Sequence, residues 1–492
     1  MVNIQKIVMP LKQFTTDFRE LGKEKSFRYD VDFVNFQNGF LVEQYYSFNN
    51  IFTFASQNKV DIEKLDEDFL YAEIGNVSKD GDVDPVKLNF NERKEEEENY
   101  YKKIKKGDII QVKENDILLS KVRPNLRKYV FINRDNQNYF YTSAFIHLQP
   151  KKLNKILYYA FRTIFYKNLI AISRQGKGYP TLKEDDFYYL KFDKKIIDKL
   201  TENQDQIVAQ IEPIEKKIKE LKNQITPPQE VINKVFAREF SFDANLYNEF
   251  GKGMTAGTQI AKDRALRIFE TDFKELARSN ILRFSTRYHN PPTRNLMNFL
   301  DTTETLKVED IVVSFEKGIQ PKYNTDGEIP VVKIANLKNG FIDFSESEKI
   351  SQNDFNKLDD RKKLKFNDII ICATGKVSLG KIDFYDYDYK AITSVDNYIL
   401  RLNEKYNPLF LTYFFRSILG YFQIERDFTG ATNQIHLYWE QISNFQIPDI
   451  SPKAQQKIVD EIKAELDAQE TMNRKIESER NKIDEIIENV IK

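Results

Sequence analysis

One cysteine and one tryptophan stand among 492 residues. A lone Cys372 excludes an intramolecular disulfide and any multi-cysteine metal cluster, and it fits a reducing compartment. Its expected role is that of a small buried hydrophobe. The three histidines, His147, His289 and His436, lie far apart and offer no metal-ligand spacing. No apolar run reaches membrane-spanning length, and the first residues lack the continuous apolar stretch of a secretion signal, so a cytoplasmic protein without a membrane partner is expected. Excess charge is missing too. With Lys+Arg 75 against Asp+Glu 75, bulk attraction to polyanions is not implied, and any nucleic-acid surface must be a local patch.

What is present is a chain too long for one core, with 41% hydrophobic and 30% charged residues, the balance of a soluble globular protein. Phe 38 and Tyr 26 make it rich in aromatics, which serve a core or a stacking surface equally well.

The dominant pattern is an internal duplication with a period near half the length. Phe14-Thr15-Thr16-Asp17-Phe18-Arg19-Glu20-Leu21 lies over Phe269-Glu270-Thr271-Asp272-Phe273-Lys274-Glu275-Leu276. Ile74-Gly75-Asn76-Val77 matches Ile334-Ala335-Asn336-Leu337, and Asn115-Asp116-Ile117-Leu118-Leu119 matches Asn367-Asp368-Ile369-Ile370-Ile371. Arg162 and Gly176 meet Arg416 and Gly430, and Ile207-Val208 meets Ile458-Val459. Each repeat therefore holds one globular region of mixed strands and helices followed by a helix. Strands are predicted at 116–119 and 368–372 from their short apolar runs, and helical stretches at 157–172 and 409–424. The charged run around 95–98 with Lys102, Lys103, Lys105 and Lys106 is expected to be a solvated loop.

After each globular region the pattern turns charged and helical. Ile207, Ile211, Ile214, Ile218, Leu221 and Ile225 are spaced 4, 3, 4, 3, 4, an apolar heptad seam that Pro227-Pro228 should stop. Pro213 is expected to bend it. Ile462, Leu466, Ile476, Ile483, Ile487 and Val490 form a weaker stripe, interrupted by Gln469, Asn473 and Arg480. Two matching seams at the repeat ends point to pairing, and chain connectivity makes the pair antiparallel. The predicted fold is α+β: two duplicated mixed α/β regions separated by two long antiparallel coiled-coil helices.

Catalytic signatures are wanting. Asn290-Pro291-Pro292-Thr293 is close to the Asn-Pro-Pro-aromatic motif of adenine methyltransferases, but Thr293 cannot stack on a flipped base, so a structural Pro-Pro turn is expected. Glu215-Lys216-Lys217 has the form of a nuclease word, yet it sits among many Lys and Glu and reads as an exposed helix face. No P-loop and no glycine-rich cofactor loop occur. No enzymatic activity of its own and no cofactor are expected.

Gly318-Ile319-Gln320-Pro321, Ile329-Pro330-Val331-Val332-Lys333-Ile334-Ala335-Asn336-Leu337 and Gly340-Phe341-Ile342-Asp343 together resemble the opening of a Type I target-recognition domain. Asn367-Asp368-Ile369-Ile370-Ile371 resembles its central strand. Thr432-Asn433-Gln434-Ile435-His436-Leu437, then Phe445-Gln446-Ile447-Pro448, resembles its closing motif before the helix that starts at Gln455-Gln456-Lys457-Ile458-Val459. The chain thus resembles the specificity subunit of Type I restriction-modification systems. That resemblance implies recognition domains at 1–200 and 241–450, with spacer helices at 201–240 and 451–492. It also implies a bipartite double-stranded DNA target, two DNA adenine methyltransferase subunits as partners, and translocating restriction subunits completing the complex.

Phosphate contacts supply affinity and base-edge contacts supply specificity. In the first repeat Lys121, Arg123, Arg127 and Lys128 surround a Pro-Asn turn, while Arg174 and Lys177 flank Gly176. The second offers Lys376, Lys381, Asn433, Gln434 and His436. Asn and Gln suit adenine, Arg and Lys suit guanine or phosphate. The first repeat departs from the second at 178–182 against 432–436, which favours different half-sites. Two other classes compete: the specificity part of a fused restriction-methylation enzyme, and a scaffold whose repeats bind protein instead of DNA.

Overall fold

The structure, a computed structural model, describes residues 44–55, 60–61, 68–91, 98–175, 179–242, 270–274, 288–289, 291–345, 347–375, 378–431 and 434–491. The repeated word at 14–21 and residues 269, 275 and 276 of its counterpart lie outside them. The chain divides into two compact units, one comprising Met1–Asn223 with Arg474–Lys492 and the other Gln224–Asn473.

In the first unit a four-stranded antiparallel sheet runs in the order Phe52–Phe54, Phe145–Pro150, Ile117–Ser120, Tyr129–Phe131. Its central strand is apolar without alternation because both faces are covered; Ile117, Leu118 and Leu119 are fully buried. The chain enters that strand through Asn115, whose φ of 74° is left-handed, and the carboxylate of Asp116 takes a hydrogen bond from the Lys113 N–H (2.8 Å). A second sheet pairs Val86–Leu88, Phe69–Ala72, Phe140–Tyr141 and Ile110–Gln111, with the middle two strands parallel.

The second unit repeats the plan. Its sheet order is Val312–Lys317, Asn397–Leu402, Asp368–Cys372, Ile382–Tyr385, again antiparallel throughout. Asn367 enters with φ 73°, and Asp368 takes a bond from the Lys365 N–H (2.9 Å). Cys372 is buried, and burial pushes its thiol up to about 11, so it packs as a hydrophobe. Ile329–Val332 runs parallel to Ile392–Thr393 in the smaller sheet.

Several expectations need correction. The stretches at 157–172 and 409–424 are each two helices: Asn154–Arg162 then Tyr166–Ala171, and Pro408–Arg416 then Ile418–Asp427. Thr163 and Ser417 leave helical geometry at the break. The charged run holds a helix, Glu98–Lys105, because Tyr101 and Ile104 on one face are buried. Pro291-Pro292 opens the helix Pro291–Asp301, since proline costs no hydrogen bond in a first turn. The seam helix is Gln204–Asn223, with Pro213 inside it, and Ile225 lies beyond its end. Glu215 is no solvated residue; Lys155 and Tyr159 both donate to it.

The helix pairing is antiparallel inside each unit. In the first, Lys199 Nζ donates to the Ile491 carbonyl (3.3 Å) and Lys217 pairs with Glu479 (2.6 Å), so one number climbs while the other falls. Ile207, Ile211, Ile218, Ile476, Ile483 and Ile487 are buried, as the heptad seams require. In the second unit Pro228–Phe240 runs against the start of Pro452–Ile491: the Thr226 N–H donates to Gln469 Oε1 (2.9 Å) and Lys457 pairs with Glu239 (3.1 Å). Among the described residues no helix is long and apolar enough to cross a membrane.

Candidate nucleic-acid interface

In the first unit the turn 121–128 joins the central strand to Tyr129–Phe131, and a hairpin of Arg174–Gln175 with Pro180–Thr181 closes against it. Val122 bridges to Thr181; the Arg123 N–H donates to the Pro180 carbonyl (2.9 Å) and the Leu182 N–H to that of Lys121 (2.8 Å). The second unit builds the same device from 373–381 and the hairpin Thr429–Ala431 with Gln434–His436. Thr374 bridges to His436, the Gly375 N–H donates to Ile435 (3.1 Å) and the Leu437 N–H to Ala373 (2.9 Å). Thr181 thus corresponds to His436, one residue further on than the sequence alignment had it, because pairing with the turn sets the register. Within each unit these bonds bring the turn and the closing hairpin side by side.

Their side chains differ in availability. Lys121 Nζ donates to the Ser143 carbonyl (2.8 Å) and lies 3.7 Å from Glu184. Lys128 Nζ donates to the Ile74 carbonyl (3.0 Å). Arg174 is a structural residue: its Nε donates to the buried carboxylate of Asp186 at 2.8 and 3.0 Å, and that bond raises the guanidinium's pKa. Arg127 lies over the Tyr166 ring (3.9 Å). It also lines a cleft of about 1100 Å³ together with Tyr158, Tyr159, Arg162, Arg480 and Asp484. Burial raises the Asp484 pKa, and Arg162 and Arg127 oppose that rise, so Arg127 spends charge inside the unit. Arg123 is exposed, makes no ion pair among the described residues, and lies over the exposed ring of Tyr179 (5.1 Å).

Lys177, Lys376 and Asn433 lie outside the described residues, and of Gln434 only the backbone strand is described. Lys381 is half-buried at the end of the second turn. His436 is half-buried, with its ring stacked on exposed Tyr438 (5.9 Å, 29°). Sequence reasoning missed Tyr166, Tyr179 and Tyr438 as stacking partners. The signal for Tyr179 and Tyr438 was a tyrosine at or just beyond each closing hairpin; Tyr166, at the start of the helix Tyr166–Ala171, had no such marker.

Residues 301–483 match the family described as "Type I restriction modification DNA specificity domain". The central strand, turn and closing hairpin of the second unit all lie inside that matched stretch. A 155-residue stretch is 28% identical to the Type I restriction enzyme HindI specificity subunit of Haemophilus influenzae, covering 30% of this chain and 32% of that protein. The chain thus spans about a third of that protein's length and is similar to Type I restriction-modification specificity subunits over part of its own. Among solved structures, the HsdS subunit from Thermoanaerobacter tengcongensis is similar at 13% identity and a TM-score of 0.29, over 91% of this chain and 96% of that one. The Type I restriction-modification S subunit from M. genitalium is similar at 13% identity and a TM-score of 0.39, over 91% and 95%.

Proposed function

We propose that this chain is the non-catalytic DNA-reading subunit of a cytoplasmic Type I restriction-modification complex, with one recognition surface in each unit. The observation that supports this reading is the same turn-and-hairpin device in both units, with different residues at its tip. Residues 1–200 and 241–450 act as the recognition domains and 201–240 with 451–492 as the spacer. Two devices reading independently give a bipartite target with an unread gap. The bound complex positions two adenine methyltransferase subunits and the restriction subunits, which supply the chemistry.

Coexpression with a candidate adenine methyltransferase, followed by genome-wide mapping of methylated adenine, tests this. The expected result is one bipartite motif, of which a single half changes when residues 1–200 are exchanged for those of a relative. Methylation by the purified chain alone would favour a fused enzyme. Failure of the chain with its partner to retard random duplex DNA would favour a protein scaffold.

A further inference from the structure

Two left-handed residues flank the turn after each central strand. In the first unit they are arginines, Arg123 (φ 51°) and Arg127 (φ 52°); in the second they are glycines, Gly375 (φ 90°) and Gly380 (φ 78°). The counterpart positions follow from the shared main-chain bonds: Arg123 donates to Pro180 as Gly375 does to Ile435. Glycine takes such a conformation without the steric cost that any side chain incurs. Crowding does not explain the glycine at 375, because a Cβ there would meet only Ser378, at 3.8 Å or beyond. The first unit therefore carries an arginine where the backbone favours glycine.

The surrounding bonds hold that conformation in place. Pro124 accepts from the Tyr129 hydroxyl (2.8 Å) and from the Arg127 N–H (3.0 Å), and Leu126 donates to the Arg123 carbonyl (2.9 Å). Strain maintained by its surroundings at an exposed tip is characteristic of binding sites. Arg127 folds back over Tyr166 beside the cleft, whereas Arg123 stands exposed over Tyr179. The ring beneath restrains the guanidinium and leaves its donors unpaired among the described residues, the arrangement that meets the O6 and N7 acceptors of guanine in the major groove.

We propose that Arg123 is the base-reading residue of the first unit, recognising a guanine through both acceptors, with Tyr179 as its positioning residue. The assignment rests on the DNA-reading function proposed above. The second unit, with glycine at the same place, reads its half-site by other residues.

The experiment uses the full chain with its methyltransferase partner, first mapping the motif and then replacing each guanine of the first half-site in turn by 7-deazaguanine, which lacks N7. One replacement should weaken wild-type binding severalfold, below the roughly 5- to 150-fold of a whole bidentate contact because O6 remains, and should leave Arg123→Gly binding unaffected. Arg123→Gly adopts the second unit's own residue, so it should unfold at or above the wild-type temperature. It should keep the second half-site and accept any base pair at one position of the first. Arg123→Lys should retain the salt dependence of binding while weakening the guanine preference, because lysine lacks the fixed fork of donors, and Tyr179→Ala should reduce that preference without abolishing it. An unchanged motif in Arg123→Gly overturns the assignment alone. So does a loss uniform over all sequences with a shallower salt dependence, which would mark a phosphate contact. A wild-type complex with no bipartite motif overturns the function and the assignment together.

Discussion

The two units fasten their globular regions to their helices by different chemistry. In the first, Arg480 bonds both Asp80 and Asp82, Lys222 bonds Asp82, Lys219 bonds Asp135 (2.7 Å), and Lys155 and Tyr159 bond Glu215. In the second, Phe236 packs on Phe410 and Phe414 at 5.8 and 6.0 Å, Gln229 donates to the Arg416 carbonyl, and the Ile418 N–H donates to Asn233 Oδ1 (2.8 Å). The matched arginines follow suit. Arg162 donates to Lys79 (2.7 Å) and Arg127 (3.2 Å) carbonyls and lies 3.8 Å from Asp80. Arg416 is buried, and burial lowers its pKa. One mechanical requirement has been met once with screened charges and once with apolar area, so salt should distinguish the units.

The largest break is Phe236→Ala. Removing a fully buried ring should cost about 3–5 kcal/mol of local stability. Hydrogen exchange over 408–427 should accelerate by the same amount at low and high salt, and a loss under ~1 kcal/mol would contradict the packing described.

A pH titration sharpens the contrast next. Burial pushes the Asp383 carboxyl up to about 7, against opposition from the Gly340 N–H, Arg416 and the Asn339 N–H. The folded unit then holds a proton that the unfolded chain releases near pH 4, so the second unit should lose stability as pH rises from about 4 to about 7. The slope from this group is at most about 1.4 kcal/mol per pH unit. In Asp383→Asn that fall should vanish from the unfolding profile; its persistence would place the titration elsewhere.

Arg480→Gln is a smaller effect. It leaves Asp80 and Asp82 short of a partly buried cation, and about 1–2 kcal/mol of exchange protection should go from the first unit. In 0.5 M salt the difference from wild type should shrink, because the pairs it breaks are already screened. A salt-independent loss would show that the charges are not what fastens this unit.

Smallest of all is Arg123→Gly, whose relief of a left-handed side chain is offset by glycine's greater chain entropy; between no change and a gain of about 1 kcal/mol is expected from denaturant melts. A loss above ~1 kcal/mol would mean that the arginine holds the turn together.

The central strands were legible because Ile117-Leu118-Leu119 and Ile369-Ile370-Ile371 are apolar without alternation, which suits a strand covered on both faces. The interruption of the helix ahead of Pro227-Pro228 and the antiparallel sense of the pairing were legible from proline chemistry and connectivity, though the helix ends at Asn223 and Pro228 opens the next one. The candidate site was readable as a cluster but not residue by residue. Lys121 and Lys128 are captured by carbonyls at 143 and 74, and Arg174 by a carboxylate twelve positions away, none of which a local pattern encodes. The helix Glu98–Lys105 was hidden for a related reason: its buried face is little more than Tyr101 and Ile104 in a heavily charged run. The left-handed φ at Arg123 was invisible, since glycine is the usual marker of that conformation.

The first unit is assembled from residues up to Asn223 and from Arg474 onward. On a ribosome making about 5–20 residues per second, the 250 residues from 224 to 473 separate those parts by roughly 12–50 s. During that wait the second unit gains its whole sequence, while Ile207, Ile211 and Ile218 lack the Ile476, Ile483 and Ile487 side of their seam. The half made first is thus the half finished last. A nascent chain halted before residue 474 would carry a complete second unit beside an uncovered apolar stripe, a mark by which chaperones and proteases can tell unfinished subunits from finished ones.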